Sequence, residues 1–149
     1  MQKTAKDYWF VGAQLVLFLL FAIAPSVIQL ALPKIITLTG LILLLLGVLI
    51  ILRSIFQLSD ALTPYPSPKQ GASIKTEGLY RFSRHPIYSG ILILFLGWGL
   101  YTQSLSRLVL TIALYILFYF KSSYEEERLI EAYGEKYRTY RKKTARFFF

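Results

Sequence analysis

The chain has 149 residues, of which 55% are hydrophobic, and its formal net charge is +9. A mean hydropathy of +0.50 excludes an ordinary soluble domain and predicts an integral membrane protein that forms a single domain over residues 1–149. The basic residues flank apolar runs and so favour membrane lipids over nucleic acid as partners, while the lack of cysteine excludes disulfides and cysteine-based zinc or catalytic sites.

Four apolar segments predict an all-α fold, a polytopic transmembrane helical bundle of about four spans. A transmembrane helix needs about 20 mostly apolar residues. The predicted spans are residues 8–32, 35–58, 86–101 and 105–120, of which the last two are short. Pro25 predicts a kink in the first span. The short turn formed by Leu32, Pro33 and Lys34 predicts that the second span returns antiparallel to the first.

Two polar segments separate and follow these spans. Residues 59–85 are predicted to be a loop, because Pro64, Pro66, Pro68 and Gly71 forbid a continuous helix. Residues 121–149 are predicted to contain a charged amphipathic helix that leaves the membrane. Basic residues concentrate near the N-terminus, in the loop and in the tail, so the positive-inside rule places all three in the cytosol. The short loops favour a bacterial or archaeal cell membrane, with both termini cytosolic.

The entry to the third span carries the first candidate site. Residues 78–90 read Gly-Leu-Tyr-Arg-Phe-Ser-Arg-His-Pro-Ile-Tyr-Ser-Gly and hold the only histidine of the chain. A helix N-terminus offers free backbone N–H groups and positive partial charge. Tyr80, Arg84, His85 and Tyr88 add rings for stacking and donors for a ribose or a carboxylate. The alternative is an interfacial belt in which Arg and Tyr anchor the helix at the headgroups.

Two charged motifs follow the fourth span. Lys121 and Glu125 lie four residues apart and share a helix face, whereas Glu126 and Glu127 are predicted to point elsewhere. A carboxylate at this level would attract a cationic ligand, although a solvated start of an amphipathic helix also explains it. Residues 133–143 mix aromatic and basic residues, which a surface helix lying against anionic lipid explains without any ligand.

These motifs together resemble those of the isoprenylcysteine carboxyl methyltransferase family, whose members are membrane enzymes. The run Gly78-x-Tyr80, followed by Arg84-His85-Pro86-x-Tyr88-x-Gly90, is similar to the central signature of that family. Glu125-Glu126-x-x-Leu129 resembles its C-terminal acidic motif, and Gly134-x-x-Tyr137-x-x-Tyr140 follows at the family spacing. The resemblance covers roughly residues 40–148.

The resemblance implies S-adenosylmethionine as the cofactor and a lipophilic small molecule or prenylated acceptor as the substrate. The implied activity is carboxyl O-methylation at the cytosolic membrane interface, with phospholipid N-methylation or a non-enzymatic lipid-binding role as alternatives. The implied cofactor-binding residues are Ala72, Ser73, Ile74, Lys75, Tyr80, His85, Pro86, Ile87, Tyr88 and Glu125. A carboxylate is already ionised at neutral pH, so we expect a catalytic cation, Lys121 or Arg84, to steer it.

The sequence departs from the family pattern at one chemically important position. Lys121 stands four residues before Glu125, where the resemblance implies an arginine that contacts the substrate. Lysine keeps the charge but lacks the planar fork that binds a carboxylate through two parallel hydrogen bonds. An amine acceptor would instead need a base such as His85 or a nearby glutamate.

Overall fold

The computed structural model describes residues 3–26, 28–58, 61–68 and 73–148. The described helices are α1 (Ala5–Ile23), α2 (Lys34–Leu58), α3 (Pro86–Tyr101), α4 (Leu105–Tyr133) and α5 (Glu135–Lys143). A short 3-10 turn, Gly78–Arg81, precedes α3. The predicted all-α class is therefore confirmed.

Three of these helices, α1, α2 and α4, are long and apolar enough to cross a membrane. Their apolar side chains face mainly outward: Leu19 is 61% exposed on α1 and Ile42 is 65% exposed on α2. Such surfaces suit a lipid environment, because lipid tails are as apolar as the side chains. Helix α3 is also apolar but has only 16 residues, so the count of four spans stays a prediction.

The first helix is shorter than the predicted span over residues 8–32. It ends at Ile23, and residues 24–26 and 28–33 are not helical. Ala24 has φ −55° and ψ 117°, the extended conformation that a following proline imposes. Pro25 therefore ends the helix, and the predicted kink was wrong.

Helix α4 continues through the predicted boundary between residues 120 and 121. It runs from Leu105 to Tyr133 and stops at Gly134, whose φ is +57°. The charged stretch after residue 120 contains no glycine or proline before Gly134, so nothing local breaks the helix. Lys121 and Glu125 are consequently carried by the same helix as the apolar segment before them.

Helices α2 and α3 pack closely along a line of glycines. A Cβ atom added to Gly97 would lie 2.4 Å from the backbone nitrogen of Leu44 and 2.6 Å from the carbonyl oxygen of Gly40. Gly47 and Gly90 have similarly close neighbours. Small residues of this kind let helix backbones approach each other in membranes.

We expect Gly97→Ala to lower the stability of the protein by about 1–3 kcal/mol, because the new methyl group forces backbones apart. Thermal unfolding in detergent micelles would measure the change. Gly12→Ala is the matched control, since a Cβ at Gly12 meets nothing within 4 Å and alanine is the better helix former. Equal effects of the two substitutions would contradict this account of the α2–α3 contact.

The C-terminal segment returns to the start of α3. The backbone N–H groups of Arg84 and His85 donate to the carbonyl oxygens of Ala145 (2.8 Å) and Arg146 (3.1 Å). Phe147 is 5% exposed and belongs to the core cluster. This return joins the loop before α3, the second half of α4 and the tail at one end of the bundle.

Candidate active site

A cavity of about 330 Å³ opens at the end of the bundle where these segments meet. Pockets for small ligands typically measure about 300–1,000 Å³. The cavity walls come from all five helices, the 3-10 turn and the described loop residues 61–68. A site built from so many elements depends on tertiary packing rather than on any single motif.

Every predicted site residue that the structure describes lines this cavity. These residues are Ser73, Ile74, Lys75, Tyr80, Arg84, His85, Pro86, Ile87, Tyr88, Lys121 and Glu125. Ala72 lies outside the described residues. The structure thus brings the described candidates together, while their roles in binding and catalysis stay predictions.

Tyr88 and Glu125 link α3 to α4 across the cavity. The Tyr88 phenol donates a hydrogen bond to Glu125 Oε2 at 2.9 Å. The His85 ring lies parallel to the Tyr88 ring at 5.4 Å between centroids, and His85 Nδ1 is 3.8 Å from Glu125 Oε2. The Glu125 side chain is still 24% exposed, so its carboxylate is held in place yet remains accessible to a ligand.

Glu126 points away from the cavity, as the sequence predicted, but its role was missed. Its side chain is 1% exposed, and Oε1 lies 2.9 Å from Arg84 Nη2, 3.2 Å from His85 Nε2 and 3.2 Å from Arg146 Nε. Oε2 lies 3.3 Å from Arg141 Nε. One buried carboxylate therefore joins the start of α3, α5 and the tail to α4.

Arg84 lines the cavity but is occupied by structural contacts. Its guanidinium donates to Glu126 Oε1 and to the carbonyl oxygens of Arg141 and Thr144. The Arg84 side chain is 9% exposed. Because Glu126 already pairs with its charge, this geometry favours a positioning role for Arg84 over the predicted steering of an acceptor.

Lys121 lines the cavity and is hydrogen-bonded to neutral partners. Its Nζ donates to Gln14 Oε1 at 2.6 Å and to the Pro64 carbonyl oxygen at 3.0 Å. Lys121 is 1% exposed, and Nζ lies 5.3 Å from the centroid of the Tyr88 ring. No motif pointed to Gln14, which reaches the site from α1.

Helix α1 also anchors the loop that covers the cavity. The carboxylate of Asp7, which is fully buried, accepts hydrogen bonds from the backbone N–H of Ser67 at 2.9 Å and from its hydroxyl. Lys3 Nζ lies 3.8 Å from the centroid of the Tyr65 ring. Residues 61–68 are thereby fixed over the cavity by the start of α1.

Helix α5 closes the cavity with tyrosines. Tyr137 and Tyr140 of α5 line it together with Tyr133, the last residue of α4, and the Tyr140 phenol donates to the carbonyl oxygen of Tyr80. Burial raises the pKa of Tyr140 to about 12 and that of Tyr137 further, so both phenols stay protonated near neutral pH. The Tyr137 hydroxyl has no hydrogen-bond partner among the described residues. The tyrosines of residues 133–143 thus pack on the site.

A family model for phospholipid methyltransferases matches residues 35–136, more than half of the chain. The chain belongs to the phospholipid methyltransferase family. The matched range includes Tyr88, Lys121 and Glu125. Gln14, Tyr137 and Tyr140 lie outside it, so the family match covers only part of the cavity wall.

Three relatives share moderate sequence identity with this family member. It is 42% identical over 88 residues to a methanethiol S-methyltransferase of Pseudomonas deceptionensis, a match that covers 58% of the chain and 31% of the relative. It is 37% identical over 73 residues to a protein-S-isoprenylcysteine O-methyltransferase of Schizosaccharomyces pombe, a match that covers 46% of the chain and 29% of the relative. It is 32% identical over 71 residues to methanethiol S-methyltransferase 1 of Bradyrhizobium diazoefficiens, a match that covers 48% of the chain and 24% of the relative.

The three matches extend over less than a third of each relative. The expected resemblance to isoprenylcysteine methyltransferases is confirmed at the level of the family.

Proposed function

We propose that this protein transfers a methyl group from S-adenosylmethionine to an anionic atom of a lipophilic acceptor at the cytosolic membrane interface. A carboxylate and a thiolate are the two acceptor groups that the names of the relatives suggest. The proposal rests on one observation. A single cavity is lined by a buried ammonium group, that of Lys121, and by the Glu125 carboxylate, which a hydrogen bond from Tyr88 fixes in place.

The cavity residues fit the charge pattern of the proposed cofactor. When bound, the sulfonium of S-adenosylmethionine supplies an electrophilic methyl group. Glu125 would hold the cationic amino group, and its hydrogen bond from Tyr88 fixes the direction of the carboxylate. Tyr80 and Tyr133 offer rings for adenine, and the unpaired hydroxyl of Tyr137 offers a donor to a ribose or carboxylate.

The charges favour an anionic acceptor over an amine. A carboxylate with a pKa near 4 needs no general base, and Lys121 would attract it. An ammonium group would be repelled by Lys121 and would first have to lose a proton. His85, the only histidine, is held between Glu125 and Glu126 and stacked on Tyr88. This arrangement opposes phospholipid N-methylation.

The lipophilic part of the acceptor would enter from the side of the bundle. Helix α1 packs against α4, and α2 packs against α3, whereas α1 and α2 form no comparable pair within the described residues. Leu58, Ile87 and Ile91 contribute apolar side chains to the cavity wall. A tail could therefore stay in lipid while the reactive group reaches Lys121.

Calorimetric titration of the protein in lipid nanodiscs tests the cofactor. We expect S-adenosylmethionine to bind at least about tenfold more tightly than methylthioadenosine, which lacks the amino group that Glu125 would hold. Incubation with a radiolabelled methyl donor and lipid extract, followed by mass spectrometry, then identifies the acceptor atom. Absence of binding, or label confined to N-methylated phospholipid, would refute the proposal.

Tyr137→Phe separates ligand binding from folding. The phenol has no described partner to lose, so we expect thermal stability to be unchanged or slightly raised. If the hydroxyl donates to the cofactor, its removal weakens S-adenosylmethionine binding by about 1 kcal/mol, or about fivefold. Tyr140→Phe is the contrasting variant, because it removes a hydrogen bond within the protein and should lower stability. Unchanged cofactor affinity in Tyr137→Phe would exclude this contact.

A further inference from the structure

Among the described residues, the ammonium group of Lys121 has two hydrogen-bond acceptors for its three N–H groups. Two of its three protons are directed to Gln14 Oε1 at 2.6 Å and to the Pro64 carbonyl oxygen at 3.0 Å. The third has no acceptor that the structure describes, and Nζ lies 5.3 Å from the centroid of the Tyr88 ring, which lines the same cavity. Lys121 is 1% exposed, so bulk solvent contributes little to stabilising its charge.

Within the part of the chain that the structure describes, the charge on Lys121 also lacks a close counterion. Both of its hydrogen-bond acceptors are neutral, and within the described ranges the carboxylates of Glu125 and Asp7 act on it from beyond ion-pair distance. Each carboxylate is engaged elsewhere, Glu125 with Tyr88 and Asp7 with Ser67. A buried charge in this state is stabilised when an anion enters the cavity.

We propose that Gln14 and Pro64 restrict Lys121 to a single donor, so that the acceptor is the thiolate of a lipophilic thiol rather than a carboxylate. This inference rests on the proposed methyltransferase function and narrows its substrate class. A carboxylate spreads its charge over two oxygens and is best bound by two parallel donors, as an arginine provides. A thiolate concentrates its charge on one sulfur, which one N–H can bind. Gln14 is then a specificity-determining residue contributed by α1.

The reaction balances without any further reagent. The thiol first loses its proton to water, and Lys121 stabilises the resulting thiolate. The thiolate sulfur forms a bond to the methyl carbon with its own electron pair. The bond between that carbon and the sulfonium sulfur breaks, and its electron pair stays on the departing sulfur. The products are a methyl thioether and neutral S-adenosylhomocysteine, with one proton released to solvent.

Binding without turnover tests the inference directly. The protein in nanodiscs is saturated with S-adenosylhomocysteine and titrated with decanethiol, decanoate or decanol in buffers of different ionisation enthalpy. We expect decanethiol to bind most tightly and to release one more proton than decanoate, because only the thiol must ionise. Tighter binding of decanoate, or no difference in proton release, would overturn the proposal.

Two substitutions of Gln14 make the test specific. Gln14→Glu would neutralise Lys121 and should weaken decanethiol binding by about tenfold or more. Gln14→Leu frees a second N–H and should shift the preference toward decanoate by about tenfold. Gln103→Glu makes the same charge change at the other end of the bundle, where Gln103 accepts from Leu32 N, and should leave both affinities unchanged.

The outcomes distinguish this inference from the proposed function. The thiol assignment alone is refuted if S-adenosylhomocysteine binds to all variants while the protein prefers decanoate and the Gln14 substitutions do not alter that preference. Failure of the nucleoside to bind even the unmodified protein defeats the methyltransferase proposal itself.

Discussion

Glu126→Gln is expected to destabilise the protein by about 3–5 kcal/mol, because it leaves the buried guanidinium of Arg84 and the neighbouring arginines without their counterion. Arg84, His85, Arg141 and Arg146 all lie within 3.3 Å of the Glu126 carboxylate oxygens. The glutamine retains the size of the side chain but cannot accept charge-assisted hydrogen bonds from so many donors. Thermal or denaturant unfolding in detergent micelles measures the loss.

The neighbouring residue supplies the control. Glu127 is exposed on the same helix, so Glu127→Gln makes the same chemical change and should alter stability by less than about 0.5 kcal/mol. Cofactor affinity should fall in Glu126→Gln as well, since Arg84 and His85 position the cavity wall. Comparable stability of the two variants would mean that the surrounding arginines do not depend on Glu126.

The sequence was sufficient for the helices because their apolar segments are long and uninterrupted. The prediction from sequence was wrong where one residue is compatible with two different helix geometries. Pro25 could kink or end a transmembrane helix, and the helix ends at Ile23 because Ala24 takes the extended conformation that precedes a proline. The membrane boundary predicted after residue 120 does not coincide with a helix end, because no glycine or proline interrupts α4 before Gly134.

The site was predictable where its residues form local motifs. The motif residues Tyr88 and Glu125 do meet, at 2.9 Å. Gln14 and Glu126 were missed because their roles depend on partners distant in sequence, 107 residues away for Gln14 and Lys121 and 42 residues away for Glu126 and Arg84. Neither spacing produces a periodic signal. A surplus of arginines near residues 84, 141 and 146 was the available hint that one buried acid pairs with them.

Glu125→Gln is expected to weaken S-adenosylmethionine binding by about 1.5–3 kcal/mol, or about 10- to 150-fold, while stability changes little. The glutamine oxygen can still accept the hydrogen bond from Tyr88, so the link between α3 and α4 remains. What disappears is the negative charge that would bind the amino group of the cofactor. Calorimetry on the protein in nanodiscs measures the affinity, and thermal unfolding checks the fold.

Methylthioadenosine makes the interpretation of Glu125→Gln unambiguous. It lacks the amino group, so its affinity should be the same in Glu125→Gln and in the unmodified protein. If both nucleosides weaken equally, Glu125 shapes the cavity rather than binding the amino group. If neither weakens, the cofactor does not contact Glu125. The Glu125 side chain is 24% exposed, whereas that of Glu126 is 1% exposed. The two adjacent glutamates should therefore give opposite phenotypes. Glu125→Gln should lose cofactor affinity without losing stability, and Glu126→Gln should lose stability first.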